Sequence, residues 1–142
     1  MEKRIDLDEA YLQMAEIWSQ RSKAQRMKVG ALIVKGTQIV SDGYNGMPAG
    51  ASDDCCEVLL EDGTLKTKPE VVHAEANAIL KASKYGGQGI DGATLYVTLS
   101  PCVDCSKMII SSGIKRVVFR QLYRSPEGIN LLNEYNVKVD KI

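Results

Sequence analysis

At 142 residues and 44% hydrophobic content, the chain can bury one sizeable core, and a single domain over residues 1–142 is expected. Eighteen Lys and Arg balance eighteen Asp and Glu, so no overall field draws it to nucleic acid or an anionic membrane, and a small-molecule partner is expected. The opening MEKRIDLDEA lacks the apolar run of a secretory leader and no segment has the length of a membrane span, which predicts a cytoplasmic protein in which at least one cysteine pair binds metal rather than forming a disulfide.

Apolar residues at Ala10, Tyr11, Met14, Ile17 and Trp18 recur at helical steps, so Leu7 to Ser22 is expected to be an amphipathic helix, with Asp6 and Glu9 forming a capping box. Val29 to Lys35 and Gln38 to Tyr44, rich in branched residues and separated by Gly36-Thr37, predict a hairpin. Asn45 to about Glu70 shows no sustained period and is expected to be a functional loop. A helix should start near His73 and stop at Gly86-Gly87.

Ala93 to Leu99 predicts a buried strand, Cys102 to Gly113 a helix, Arg116 to Gln121 a strand, Gly128 to Tyr135 a short helix, and Val137 to Ile142 a last strand. An opening hairpin followed by alternating strands and helices implies an α/β layered fold, a mixed sheet of about five strands with helices on both faces.

Chemistry concentrates at the predicted helix starts. In Pro101-Cys102-Val103-Asp104-Cys105 the two thiols fall on one face of a first turn, where the positive end of the macrodipole favours thiolate, the zinc-binding form. His73, the only histidine, would make a Cys₂His zinc site with one open position, a catalytic pattern. Two thiolates and a neutral imidazole leave zinc uncharged, so its water gains from a nearby carboxylate base. Glu75 can be that base if the metal lies off the helix end, because a two-residue step otherwise turns about 200° around a helix.

The pattern H-x-E…P-C-x-x-C resembles that of the zinc nucleobase deaminases. The likeness runs from Arg21 to Phe119: RSKAQRMKVGALIV, GYNGMPAG, HAEANAIL, ATLYVTLSPCVDC and SGIKRVVF look like deoxycytidylate deaminases of the cytidine deaminase superfamily. That resemblance implies hydrolysis of dCMP to dUMP and ammonia, feeding thymidylate synthesis, with His73, Cys102 and Cys105 holding one Zn²⁺. Glu75 would pass a proton to N3 of the pyrimidine and later to the departing ammonia.

The resemblance further places Ala74 and Ser100 against the base, Asn45 beside the sugar, and Arg26, Tyr123 and Arg124 around a 5′-phosphate, although these three read locally as ordinary surface residues and Asn45-Gly46 as a turn. It assigns Tyr44, Asn45, Gly46, Met47, Pro48 and Gly50 to a regulatory nucleotide, dCTP activating and dTTP inhibiting, with Mg²⁺ accompanying the triphosphate. It implies a homo-oligomer, a hexamer foremost. A second zinc at Cys55-Cys56 lacks a further histidine, so packed or free thiols are the expectation there.

Two rivals remain open. A deaminase acting on nucleic acid would need a basic groove and aromatic side chains, against which neutral charge and a single Trp and Phe count. A structural zinc module would normally use four protein ligands and would leave Glu75 without a role.

Overall fold

The computed structural model describes residues 3–142. Its elements run α1 (Leu7–Ser19), β1 (Gly30–Lys35), β2 (Gln38–Tyr44), β3 (Glu57–Leu59), β4 (Leu65–Thr67), α2 (Ala74–Tyr85), β5 (Thr94–Leu99), α3 (Val103–Ser111), β6 (Arg116–Gln121), α4 (Glu127–Glu134) and β7 (Lys138–Lys141). Five strands form one sheet in the order β2-β1-β5-β6-β7. β1 pairs antiparallel with β2 and β5, and β5, β6 and β7 run parallel, their crossovers made by α3 and α4.

Nearly every residue of β1 is buried because both sheet faces are covered. Alternation sends Ala31 and Ile33 to one core with Val97, Val117 and Phe119, roofed by Ala74 and Ala78 of α2, Ile109 of α3 and Leu132 of α4. It sends Leu32 and Val34 to the other, with Tyr96 and Val118, against Leu12 and Ala15 of α1. Each fully buried Leu or Ile in these layers contributes about 1.5–3 kcal/mol.

Charge fastens α1 to the sheet. The Tyr96 hydroxyl donates to Asp8 (2.6 Å), and the Arg116 guanidinium spans Asp8 and Asp140 (both 2.8 Å) and holds the Asp8 carboxyl below the ordinary carboxylate range. Arg120 pairs with Glu9 and Glu16.

That second cluster corrects the expected capping box. Asp6 does accept from the Asp8 and Glu9 N–H groups, but the Glu9 carboxylate turns to Arg120 and Gln13, so the returning arm is not made. The helix also ends at Ser19 rather than Ser22, because the Ser22 hydroxyl donates to the Asn45 carbonyl (2.7 Å) and the chain must turn to reach it. The last helix begins and ends one residue earlier than expected, at Glu127 and Glu134. The stretch after Asn45 is not pure loop, since β3 and β4 form a separate antiparallel hairpin within it.

Candidate active site

Two helix starts meet beyond the carboxyl end of β5. His73 is the N-cap residue of α2 and Cys102 that of α3, and neither side chain makes a capping hydrogen bond. A Ser, Asp or Asn at either place would stabilise its helix by about 1 kcal/mol, so both helices forgo local stability and leave a ligand atom free. Cys105 follows within the first turn of α3, which puts His73 Nδ1 3.6 Å from Cys102 Sγ and 3.3 Å from Cys105 Sγ.

Zinc fits this donor set. Tetrahedral bonds of about 2.3 Å to sulfur and about 2.1 Å to nitrogen separate the donor atoms by about 3.6 Å, close to what the side chains adopt. Among the described residues this is the group of three ligand-bearing side chains compact enough for a metal ion. Cys55 and Cys56 join no such group, and both are free thiols, Cys55 exposed and Cys56 buried.

The surroundings shift each titratable group. Hydrogen bonding from Cys105, and then from His73, lowers the Cys102 thiol to about 4. The same hydrogen bond between the two cysteines, followed by burial, holds the Cys105 proton on. The hydrogen bond with Cys102 raises the His73 imidazole. Glu75, only 4% exposed, is pushed up to about 7 by burial. A carboxyl that changes charge near neutrality can both take and return a proton.

Two glycines let the backbones close around this centre. A Cβ on Gly43 of β2 would lie 2.6 Å from the Ala74 carbonyl oxygen and 2.7 Å from the Ala78 nitrogen, so only glycine lets the first turn of α2 sit on the strand. A Cβ on Gly128 of α4 would lie 2.0 Å from the Pro101 carbonyl oxygen, against the turn that presents Cys102.

A cavity of about 480 Å³ opens over His73, Glu75 and Cys102. All six residues expected around a substrate line it: Arg26, Asn45, Ala74, Ser100, Tyr123 and Arg124. As the first helical residue of α2, Ala74 has an N–H without an intrahelical partner. The Ser100 N–H is spent on the Gln121 carbonyl and its hydroxyl accepts from the Tyr123 N–H (2.6 Å), so Ser100 fixes Tyr123 and offers its own carbonyl. The Asn45 amide accepts from the Val29 N–H (2.9 Å) and donates to the Met27 carbonyl (2.8 Å), with one N–H left over. The Arg124 guanidinium lies over the Tyr123 ring. Among the described residues, neither Arg26 nor Arg124 has a carboxylate within ion-pair reach.

Of the expected regulatory segment only Asn45 lines the cavity; Tyr44, Gly46, Met47, Pro48 and Gly50 lie outside it. The Tyr44 ring meets Trp18 edge-on, and its carbonyl accepts from the Asn77 side chain. Gly46 and Val72 exchange two backbone hydrogen bonds, of 3.1 and 2.8 Å, one residue before His73. The sequence reading missed Glu57 and Thr67 in the cavity wall, which belong to strands of three residues with no period to reveal them.

Residues 5–121 match the family model described as "Cytidine and deoxycytidylate deaminase zinc-binding region". The chain is 40% identical over 167 aligned residues to the deoxycytidylate deaminase of Enterobacteria phage T4, with 90% of this chain and 86% of that protein covered. It is 42% identical to the human deoxycytidylate deaminase, over 81% of this chain and 65% of that one. The fold superposes with a TM-score of 0.89 on the dCMP deaminase of cyanophage S-TIM5, solved in complex with dCMP and dUMP, at 46% identity over 99% of this chain and 100% of that one. No described helix is long and apolar enough to cross a membrane.

Proposed function

We propose, from the premise that the chain belongs to the cytidine and deoxycytidylate deaminase family, that it hydrolyses dCMP to dUMP and ammonia. The observation that carries this reading is one cavity holding His73, Cys102 and the buried Glu75 together with two arginines, Arg26 and Arg124, that pair with no carboxylate among the described residues. The first group serves the reacting carbon and the second a phosphate.

His73, Cys102 and Cys105 would hold a zinc ion, which would supply the Lewis acidity that makes a water nucleophilic at neutral pH. With zinc bound there, Glu75 would take one proton from the attacking water and pass it to N3, then take the second from the hydroxyl left on C4 and give it to the amino group, which leaves as ammonia. The N–H of Ala74 and the carbonyl of Ser100 hold the ring in the attacking geometry, and the spare amide N–H of Asn45 reaches the sugar. Arg26, Arg124 and the Tyr123 hydroxyl take the phosphate.

Incubation with dCMP, deoxycytidine and cytosine-containing single-stranded DNA, followed by ultraviolet absorbance, tests the substrate. Turnover should be confined largely to dCMP, and Arg26→Ala should raise KM for dCMP by about 10- to 100-fold, the loss of one or two charge-assisted bonds. Equal turnover of the free nucleoside, or turnover of the DNA, would overturn the substrate assignment while leaving the hydrolysis.

The same reading assigns Tyr44 to Gly50 to a triphosphate with Mg²⁺, dCTP activating and dTTP inhibiting. It is supported by the position of Tyr44, Gly46, Met47, Pro48 and Gly50 outside the cavity and by the Gly46–Val72 pair, which ties them to the residue before His73. A coupling of about 1–3 kcal/mol is expected, read as a dTTP-dependent shift of the dCMP saturation curve. Hyperbolic curves indifferent to both triphosphates would remove regulation. The exposed apolar side chains Leu7, Met14 and Ile17 along α1 support a homo-oligomer, a hexamer by resemblance.

A further inference from the structure

The β3–β4 hairpin lies apart from the main sheet, and an isolated two-stranded hairpin has little stability of its own. Its inner pair has a definite target. Glu57 and Thr67 face each other across the two strands, and both line the cavity. One oxygen of the buried Glu57 carboxylate, Oε2, accepts from the backbone N–H groups of Gln25 (2.9 Å) and Arg26 (3.1 Å). The Thr67 hydroxyl accepts from Arg26 Nη1 (3.1 Å). The arginine is therefore held from two directions by one cross-strand pair, its main chain by Glu57 and its guanidinium by Thr67.

The chemistry of these bonds bears on their purpose. Arg26 is exposed and lies on the coil between α1 and β1, and among the described residues only Thr67 is hydrogen-bonded to this long side chain with several free torsions. The partly buried Arg116 and Arg120 are each neutralised by carboxylates. Arg26 is instead steadied by a neutral hydroxyl, which orients the guanidinium without cancelling its charge, while the nearby carboxylate is turned onto backbone amides. A side chain restrained in this way loses less entropy when it binds an anion.

We infer that the β3–β4 hairpin is a clamp that sets Arg26 for the 5′-phosphate, with Glu57 and Thr67 as positioning residues that confer preference for the nucleotide over the nucleoside. This rests on the assignment of Arg26 to the phosphate. Neither residue is hydrogen-bonded to His73, Glu75, Cys102 or Cys105, so an effect on KM that vanishes without Arg26 passes through Arg26.

A double-mutant cycle tests the clamp. Thr67→Val keeps the branched shape suited to a strand and removes only the hydroxyl. In the parent it should raise KM for dCMP by roughly 3- to 10-fold with kcat little changed, and in the Arg26→Ala background it should add nothing. Glu57→Ala should follow the same pattern, whereas Glu57→Gln, which keeps an acceptor for the two amides, should recover most of the parental KM. If Glu57→Ala does not fold, the threonine cycle decides alone. An unchanged KM in Thr67→Val, or the same increase with and without Arg26, overturns the clamp and leaves the phosphate assignment standing. If Arg26→Ala itself leaves the preference for dCMP over deoxycytidine intact, the phosphate assignment fails and the clamp fails with it.

Discussion

Replacing Glu75 by Gln is expected to lower kcat for dCMP by about 10³- to 10⁴-fold while zinc stays bound at one equivalent. The amide has nearly the shape of the carboxyl, so packing at the head of α2 survives, but it can neither accept the water's proton nor return one to the amino group. The loss should appear in kcat and hardly in KM, because the proposed ring and phosphate contacts are assigned to other residues. Metal analysis beside the rate separates this outcome from simple collapse of the site. Retained turnover, or zinc lost together with activity, would remove Glu75 from the proton path.

The same substitution has a stability signature of known sign. Burial raises the Glu75 carboxyl from 4.5 to about 7, so its favourable contribution is complete below pH 4.5 and is lost as pH rises through about 7. In chelator-treated protein at pH 8, Glu75→Gln should therefore melt at or above the parental temperature. A carboxyl raised by burial behaves in this way, whereas one stabilised in its charged form would lose stability on becoming Gln.

Removal of a zinc ligand should have the opposite character. Alanine at His73, Cys102 or Cys105 is expected to weaken zinc binding by at least about 100-fold and to abolish turnover, since altering even the outer partners of such ligands costs about 10- to 100-fold. His73 and Cys102 occupy helix starts without capping their helices, so their truncation should leave the circular dichroism spectrum intact. Cys105 is buried, and its loss should also lower Tm. Full zinc occupancy in any of the three purified variants would refute the ligand set.

Much of this was legible in the residues themselves. Strong periods and glycine punctuation located the opening hairpin, α2, β5 and α3, and the two motifs landed on helix starts because a strand leading into a helix must turn where Cys102 stands. What escaped notice was long-range. The end of α1 depends on a hydroxyl bond from Ser22 to Asn45, and the Glu9 arm of its cap was outbid by Arg120, 111 residues further along the chain. Glu57 and Thr67 sit in strands of three residues, too short for alternation to register, and their partner Arg26 lies 31 and 41 positions away.

Gly43 and Gly128 give the centre a further property. At both, main chain rests directly on main chain, with no side chain between to change rotamer or repack. Such a contact has no graded intermediate: it is either seated or broken. The head of α2 and the turn bearing Cys102 are thus coupled to β2 and α4 in one cooperative unit, and the reaction centre should be lost together with the whole fold, not by local softening ahead of it.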